Sequence, residues 1–158
     1  MKVKLDGLVG RKWVEGSVDC YACLRDFYDL NFGIKLRNYA RPTNWWNHGL
    51  DLYREYAYAE GFRPVDVHPR EYRIGDVFAI QIRAKVWNHV AIYIGNGEVL
   101  HHFYGRFSNV ELYKGIWRSS TIGVWRHQDL DNKLEQITTI DLMTLLPDEV
   151  RRKLESVR

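Results

Sequence analysis

The chain has 158 residues, 46% of them hydrophobic and 27% charged, with a formal net charge of +3. That length suits one domain with a substantial core; the composition excludes a disordered chain, and the charge is too small for a dedicated nucleic-acid binder. Two cysteines cannot staple a domain of this size, so the fold must stand on its core.

Residues 1–16 read as an irregular lead-in with glycines at positions 7, 10 and 16. Ser17 or Asp19 is suited to cap a helix that runs to about Leu30 and is stopped by Gly33. Cys20, Cys23, Leu24, Phe27, Tyr28 and Leu30 approximate its apolar face. Residues 34–46 are loop-like, and a second helix is predicted from about Asn47 to Glu60, ending at Gly61. Strands are predicted at 77–82, 87–94, 98–104 and 121–126, with Gly95-Asn96-Gly97 as the tight turn of a hairpin. Helices followed by an antiparallel meander make an α+β fold. The division expected is a domain over 1–128 and a helical extension over 129–158, with Pro147 opening the last helix.

The chemistry centres on Cys20. A thiol becomes a nucleophile as thiolate, and a helix N-terminus favours that form through its free N–H groups and partial positive charge. His89 opens a predicted strand whose alternation puts His89, Ala91 and Tyr93 on one face. The small Ala91 leads to the expectation that the first helix packs over that face and brings Cys20 to His89. The hairpin then sets His101 on the neighbouring strand, where it can orient His89 as the third member of a triad. Singly, a buried cysteine and a strand histidine are more often structural; it is their joint placement at element ends that points to catalysis. Cys20-Tyr21-Ala22-Cys23 is also a C-x-x-C at a helix start, but its irregular, Gly-rich approach is unlike that of thiol oxidoreductases. His101 and His102 are adjacent and so make a poor second pair for zinc. No cofactor or metal is expected.

The ordered series Asp19-Cys20, Gly75-Asp76-Val77-Phe78, His89-Val90-Ala91-Ile92-Tyr93-Ile94-Gly95-Asn96-Gly97 and Leu100-His101 resembles the NlpC/P60 family of cell-wall peptidases. His101-His102-Phe103-Tyr104-Gly105-Arg106-Phe107-Ser108 and Trp117-Arg118 resemble, more narrowly, the NlpC/P60 domains of lambda-like phage tail assembly proteins. The resemblance spans roughly residues 8–127 and implies a papain-like fold, with the N-terminal helices packed on an antiparallel sheet. It implies cleavage of peptidoglycan stem peptides, typically between D-γ-glutamate and a diamino acid. It makes Cys20 the nucleophile, His89 the base and His101 the orienting residue. Trp13 stands where the family often has an oxyanion-site Tyr; Tyr21 and His102 are further oxyanion or substrate-binding candidates. The usual Asp-Cys-Ser-Gly is here Asp19-Cys20-Tyr21-Ala22, and the usual His-Val-Gly is His89-Val90-Ala91. Neither change removes a catalytic group, and both reshape the pocket. Phage tail tip proteins are the partners this resemblance implies, beside stem peptides, with no nucleic acid. The first seven residues lack the apolar stretch of a signal peptide, and no apolar run approaches membrane-spanning length. The expected location is therefore the virion tail after synthesis in a host cytoplasm, without membrane insertion.

Overall fold

The computed structural model describes residues 2–136 and 146–155. Helix α1 spans Cys20–Phe32. Its cap is Asp19, whose carboxylate accepts from the Ala22 N–H at 2.9 Å. At the other end Gly33 takes a left-handed φ of 65°, and its N–H donates to the Asp29 carbonyl at 3.0 Å. The helix buries Leu24, Phe27, Tyr28 and Phe32, so it extends beyond Leu30 because Phe32 is also part of the core.

The second helix is shorter than the sequence reading. Trp45–His48 form a single 3-10 turn, Gly49 breaks it at φ 75°, and α2 spans Leu52–Ala59. Burial of Trp45 explains the break: its ring meets Tyr53 edge-on at 4.7 Å, so turn and helix pack on one another rather than in line.

Six antiparallel strands follow: β1 (Phe62–Val65), β2 (Val77–Ile80), β3 (His89–Gly95), β4 (Glu98–His101), β5 (Asn109–Leu112) and β6 (Thr121–His127). They lie in the order β1-β6-β2-β3-β4-β5. The hairpin at Gly95-Asn96-Gly97 is as expected, whereas β1 and β5 were not. Pro64 disguises β1, an edge strand that tolerates a missing donor, and β5 is a four-residue edge strand with mixed polarity. A one-turn helix α3 (Ile116–Ser119) links β5 to β6. Residues 130–136 form α4, and Asp148–Glu155 form α5 just after Pro147. Leu130 is fully buried in the main core and Leu134 packs against it, so α4 is anchored there. Leu142 and Leu145, singled out in the sequence, lie outside the described residues.

The sheet has two unlike faces. Val77, Ala79, Val90, Ile92 and Leu100 join the core beneath α1. Phe78, Ile80, Ala91 and Val99 pack with Trp117 of α3 on the other face. The expectation that α1 covers the Ala91 face is therefore wrong. The branched side chains of the Val90–Ile92 face offer α1 the larger apolar surface, and the Ala91 face is filled by Trp117 and by Tyr113 stacked 4.0 Å from Phe78.

Candidate active site

Asp19 holds the head of α1 in place twice over. One carboxylate oxygen caps the helix; the other takes a 2.6 Å ion pair from Arg41, with both side chains almost fully buried. The Arg41 guanidinium also donates to the carbonyls of Tyr39 and Gly16 and lies 5.0 Å over the Tyr21 ring. Gly16 has a φ of 74°, and a Cβ there would come 3.0 Å from the Arg41 carbonyl oxygen, so only glycine lets the two segments meet.

Cys20 sits at the first position of this helix but is 2% exposed. Its Sγ is 3.2 Å from the Tyr53 hydroxyl, and among the described residues it makes no hydrogen bond to His89. Burial pushes the thiol up to about 12; Asp19 adds to this, while the Tyr53 hydrogen bond, the Val90 backbone and Arg41 oppose it. Cys20 does stand at the start of the helix, yet desolvation outweighs the favourable helix end. The resting thiol is neutral. Cys23, one turn on, is buried in the core, and both cysteines are free.

His89 is anchored on both sides through the backbone. The Asn88 side chain closes the preceding loop, accepting from the Ile82 N–H at 2.9 Å and donating to its carbonyl at 3.0 Å. The Trp87 indole N–H donates to the His89 carbonyl at 2.7 Å. His89 Nε2 lies 3.2 Å from His101 Nδ1. The hairpin register pairs Ala91 with His101, which sets both imidazoles on the Trp117 side. Burial, then the nearby His101 and His102, lower His89 well below the ordinary imidazole range.

A groove of about 190 Å³ runs past these groups, lined by Asp19, Tyr53 and His89 and by the aromatic Trp13, Trp46, Phe103 and Tyr104. His89 lines the groove itself, whereas Cys20 is buried in the core behind Asp19 and Tyr53, which do line it. Trp13 contributes a wall, but its buried Nε1 has no hydrogen-bond partner among the described residues. Tyr21 and His102 are not in the groove. The Tyr21 hydroxyl is committed to the Arg37 carbonyl at 2.7 Å, on the far side of α1's first turn. His102 is fully buried behind Trp13, with rings 5.2 Å apart, and its Nε2–H donates to the Arg106 carbonyl at 3.1 Å. Both are packing residues here.

The sequence reading missed Tyr53, Arg41, Glu111 and Trp117. Tyr53 is one of ten tyrosines, and nothing local marks it as the neighbour of the thiol. Glu111 lies on the unforeseen β5, with Oε1 3.6 Å from His101 Nε2, slightly beyond hydrogen-bond length.

Four buried imidazoles have a consequence for stability. Burial holds His89, His101, His102 and His127 below the ordinary value of about 6.5. Below that pH the unfolded chain takes up protons that the folded chain resists, so stability is complete above about pH 6.5 and declines below it. The melting temperature should hold between about pH 8 and pH 7 and fall progressively toward about pH 5. A flat or rising melting curve across that interval would contradict the burial of these rings.

Comparison with known proteins adds lineage to this geometry. The sequence profile of the NlpC/P60 family matches residues 7–126, which contain Cys20, His89 and His101. The chain belongs to the NlpC/P60 family. Among characterised relatives, Tail tip assembly protein K of Escherichia phage lambda is 37% identical over 121 residues, 77% of this chain and 59% of that protein. Its counterpart from Escherichia phage N15 is 32% identical over 125 residues, 78% of this chain and 50% of that protein. The chain thus spans about half the length of these relatives or slightly more. Solved structures share the NlpC/P60 fold at low identity. A lipoprotein-like NLP/P60 protein from Staphylococcus aureus superposes with a TM-score of 0.55 at 20% identity, covering 79% of this chain and 40% of that one. An NlpC/P60 protein from Bacillus cereus gives 0.51 at 18%, covering 80% and 41%. The NlpC/P60 fold expected from the sequence is therefore the one found. No helix among the described residues is long and apolar enough to cross a membrane.

Proposed function

We propose that this NlpC/P60 domain is a phage tail-associated peptidoglycan endopeptidase. It cuts stem peptides between D-γ-glutamate and a diamino acid, assists genome entry, and works among tail tip proteins in the virion. The observation that carries the reading is the His89–His101 pair, held 3.2 Å apart at the groove beside the helix that bears Cys20. The kinship with two tail tip assembly proteins supports the location.

In this mechanism the Cys20 thiol leaves Tyr53 and gives its proton to His89. Sγ attacks the scissile carbonyl, and the Cys20 N–H at the helix start stabilises the oxyanion. His89 then protonates the leaving amine as the C–N bond breaks. Water, deprotonated by His89, attacks the thioester and releases the acid and the free thiol.

One observation favours a second reading, a structural tail tip component whose domain docks: the thiol is buried and bonded to Tyr53. The test serves both. Purified protein, and tails carrying it, are incubated with diaminopimelate-type sacculi and the fragments analysed by mass spectrometry. New free amino ends on the diamino acid are expected from wild type and none from Cys20→Ala. Absence of such ends from both wild-type preparations, with fully infectious Cys20→Ala virions, would establish the docking role.

A further inference from the structure

We propose that Glu111, held by Trp117, sets the protonation sense of the two-histidine chain, so that His89 presents an unprotonated Nδ1 to the groove. The inference rests on the reading of His89 as the base.

Strand register brings the group into place. β5 pairs with β4 so that Glu111 faces Val99 and Asn109 faces His101, which puts Glu111 one diagonal step from His101 on the same face. Glu111 Oε1 is 3.6 Å from His101 Nε2. Its other oxygen accepts the Trp117 indole N–H at 2.7 Å, and the Trp117 ring lies 4.4 Å from that of His101. Carboxylate and indole are thus fixed against the far nitrogen of His101.

The direction of every proton follows from what each group can do. An ionised carboxylate only accepts, and a neutral imidazole carries one N–H. His101 Nε2 makes no hydrogen bond at 3.6 Å, but the negative charge of the Glu111 carboxylate beside it favours the tautomer with the hydrogen on that nitrogen, so Nδ1 is the acceptor. His89 Nε2, 3.2 Å away, must then be the donor. That leaves the lone pair of His89 on Nδ1, the ring nitrogen not engaged with His101, and His89 lines the groove. The carboxylate also sits two rings behind the imidazolium that forms when His89 accepts the thiol proton. Glu111 is a positioning residue: it acts on His89 through His101.

Glu111→Gln inverts the chain. The Trp117 N–H claims the amide oxygen, so the amide NH2 turns to His101 Nε2 and donates. His101 Nδ1–H then donates to His89 Nε2, and the hydrogen of His89 moves to Nδ1. Adding Trp117→Phe removes the claim on the oxygen and lets the amide turn its acceptor to His101. Nitrogen-15 NMR of histidine-labelled protein reads the tautomers directly, above about pH 7.5 where these imidazoles are neutral. Wild type should show N–H on Nε2 of both His89 and His101, Glu111→Gln on Nδ1 of both, and the double variant a return toward wild type. In the sacculus assay Glu111→Gln should lower kcat by roughly ten- to a hundredfold with KM little changed, and the double variant should recover part of it. Wild-type tautomers that persist in Glu111→Gln overturn the proposal. Wild-type protein with the stated tautomers but no cleavage overturns the endopeptidase reading and leaves the proton chain standing.

Discussion

Arg41→Ala is expected to lower the melting temperature by about 6–20 °C. The residue sits in a loop by sequence, yet its side chain is 1% exposed and its partner Asp19 4%. Removing the guanidinium leaves a buried carboxylate without its counter-charge, together with the Gly16 and Tyr39 carbonyls that it also satisfied. Breaking such a pair from one side costs about 3–5 kcal/mol. Because Asp19 caps α1, the damage falls on the turn that carries Cys20, so thiol chemistry should suffer with stability. Arg41→Lys keeps the charge but offers one point of contact in place of a fork, and should fall between. Asp19→Ser with Arg41→Met retains a capping oxygen and removes both charges, and should recover much of the loss. Calorimetry on the three variants checks the series; an Arg41→Ala midpoint within a degree or two of wild type would show the ion pair to be solvated.

His89→Gln should reduce cleavage of sacculi by about 10²- to 10⁴-fold, the span of general acid–base catalysis. Glutamine holds the strand position but does not exchange a proton with the thiol or the leaving amine. The wild-type pH profile carries a second signature of the same residue. The base must be neutral, and burial holds His89 well below the ordinary imidazole range. Activity should therefore persist as pH falls through about 6.5 and fail only further down. An acid limb at or above that value, or near-wild-type turnover by His89→Gln, would remove His89 from the mechanism. Loss of folding is excluded by measuring both at a pH where the variant's melting curve matches wild type.

What the sequence made legible is local. Asp19 as a cap, Gly33 as a stop, the Gly95-Asn96-Gly97 turn and the alternation from His89 onward each depend on a few consecutive residues, and each stands in the structure. The positions of Cys20, His89 and His101 were readable for that reason. The ordered motifs also carried the family, because order along the chain survives substitutions such as Ala91 for glycine.

The failures have one physical source. Which face α1 covers is decided by total apolar area on each side of a sheet whose outer strands come from distant segments. Counting Ala91 as small could not reveal that Trp117 and Tyr113 fill its face. The state of the thiol depends on desolvation by the surrounding core, and that outweighs a helix end visible from sequence. Tyr21 and His102 carry the right chemistry, but the Tyr21 hydroxyl and His102 Nε2 are taken by the carbonyls of Arg37 and Arg106. Glu111 meets His101 only through the register of an edge strand too short and too mixed to be seen beforehand. The sequence by itself determined which chemical groups the domain owns and at which element ends they stand. Only the tertiary structure decided which are wet, which are paired and in which direction a proton can pass between them, because burial and register are properties of segments that meet in space.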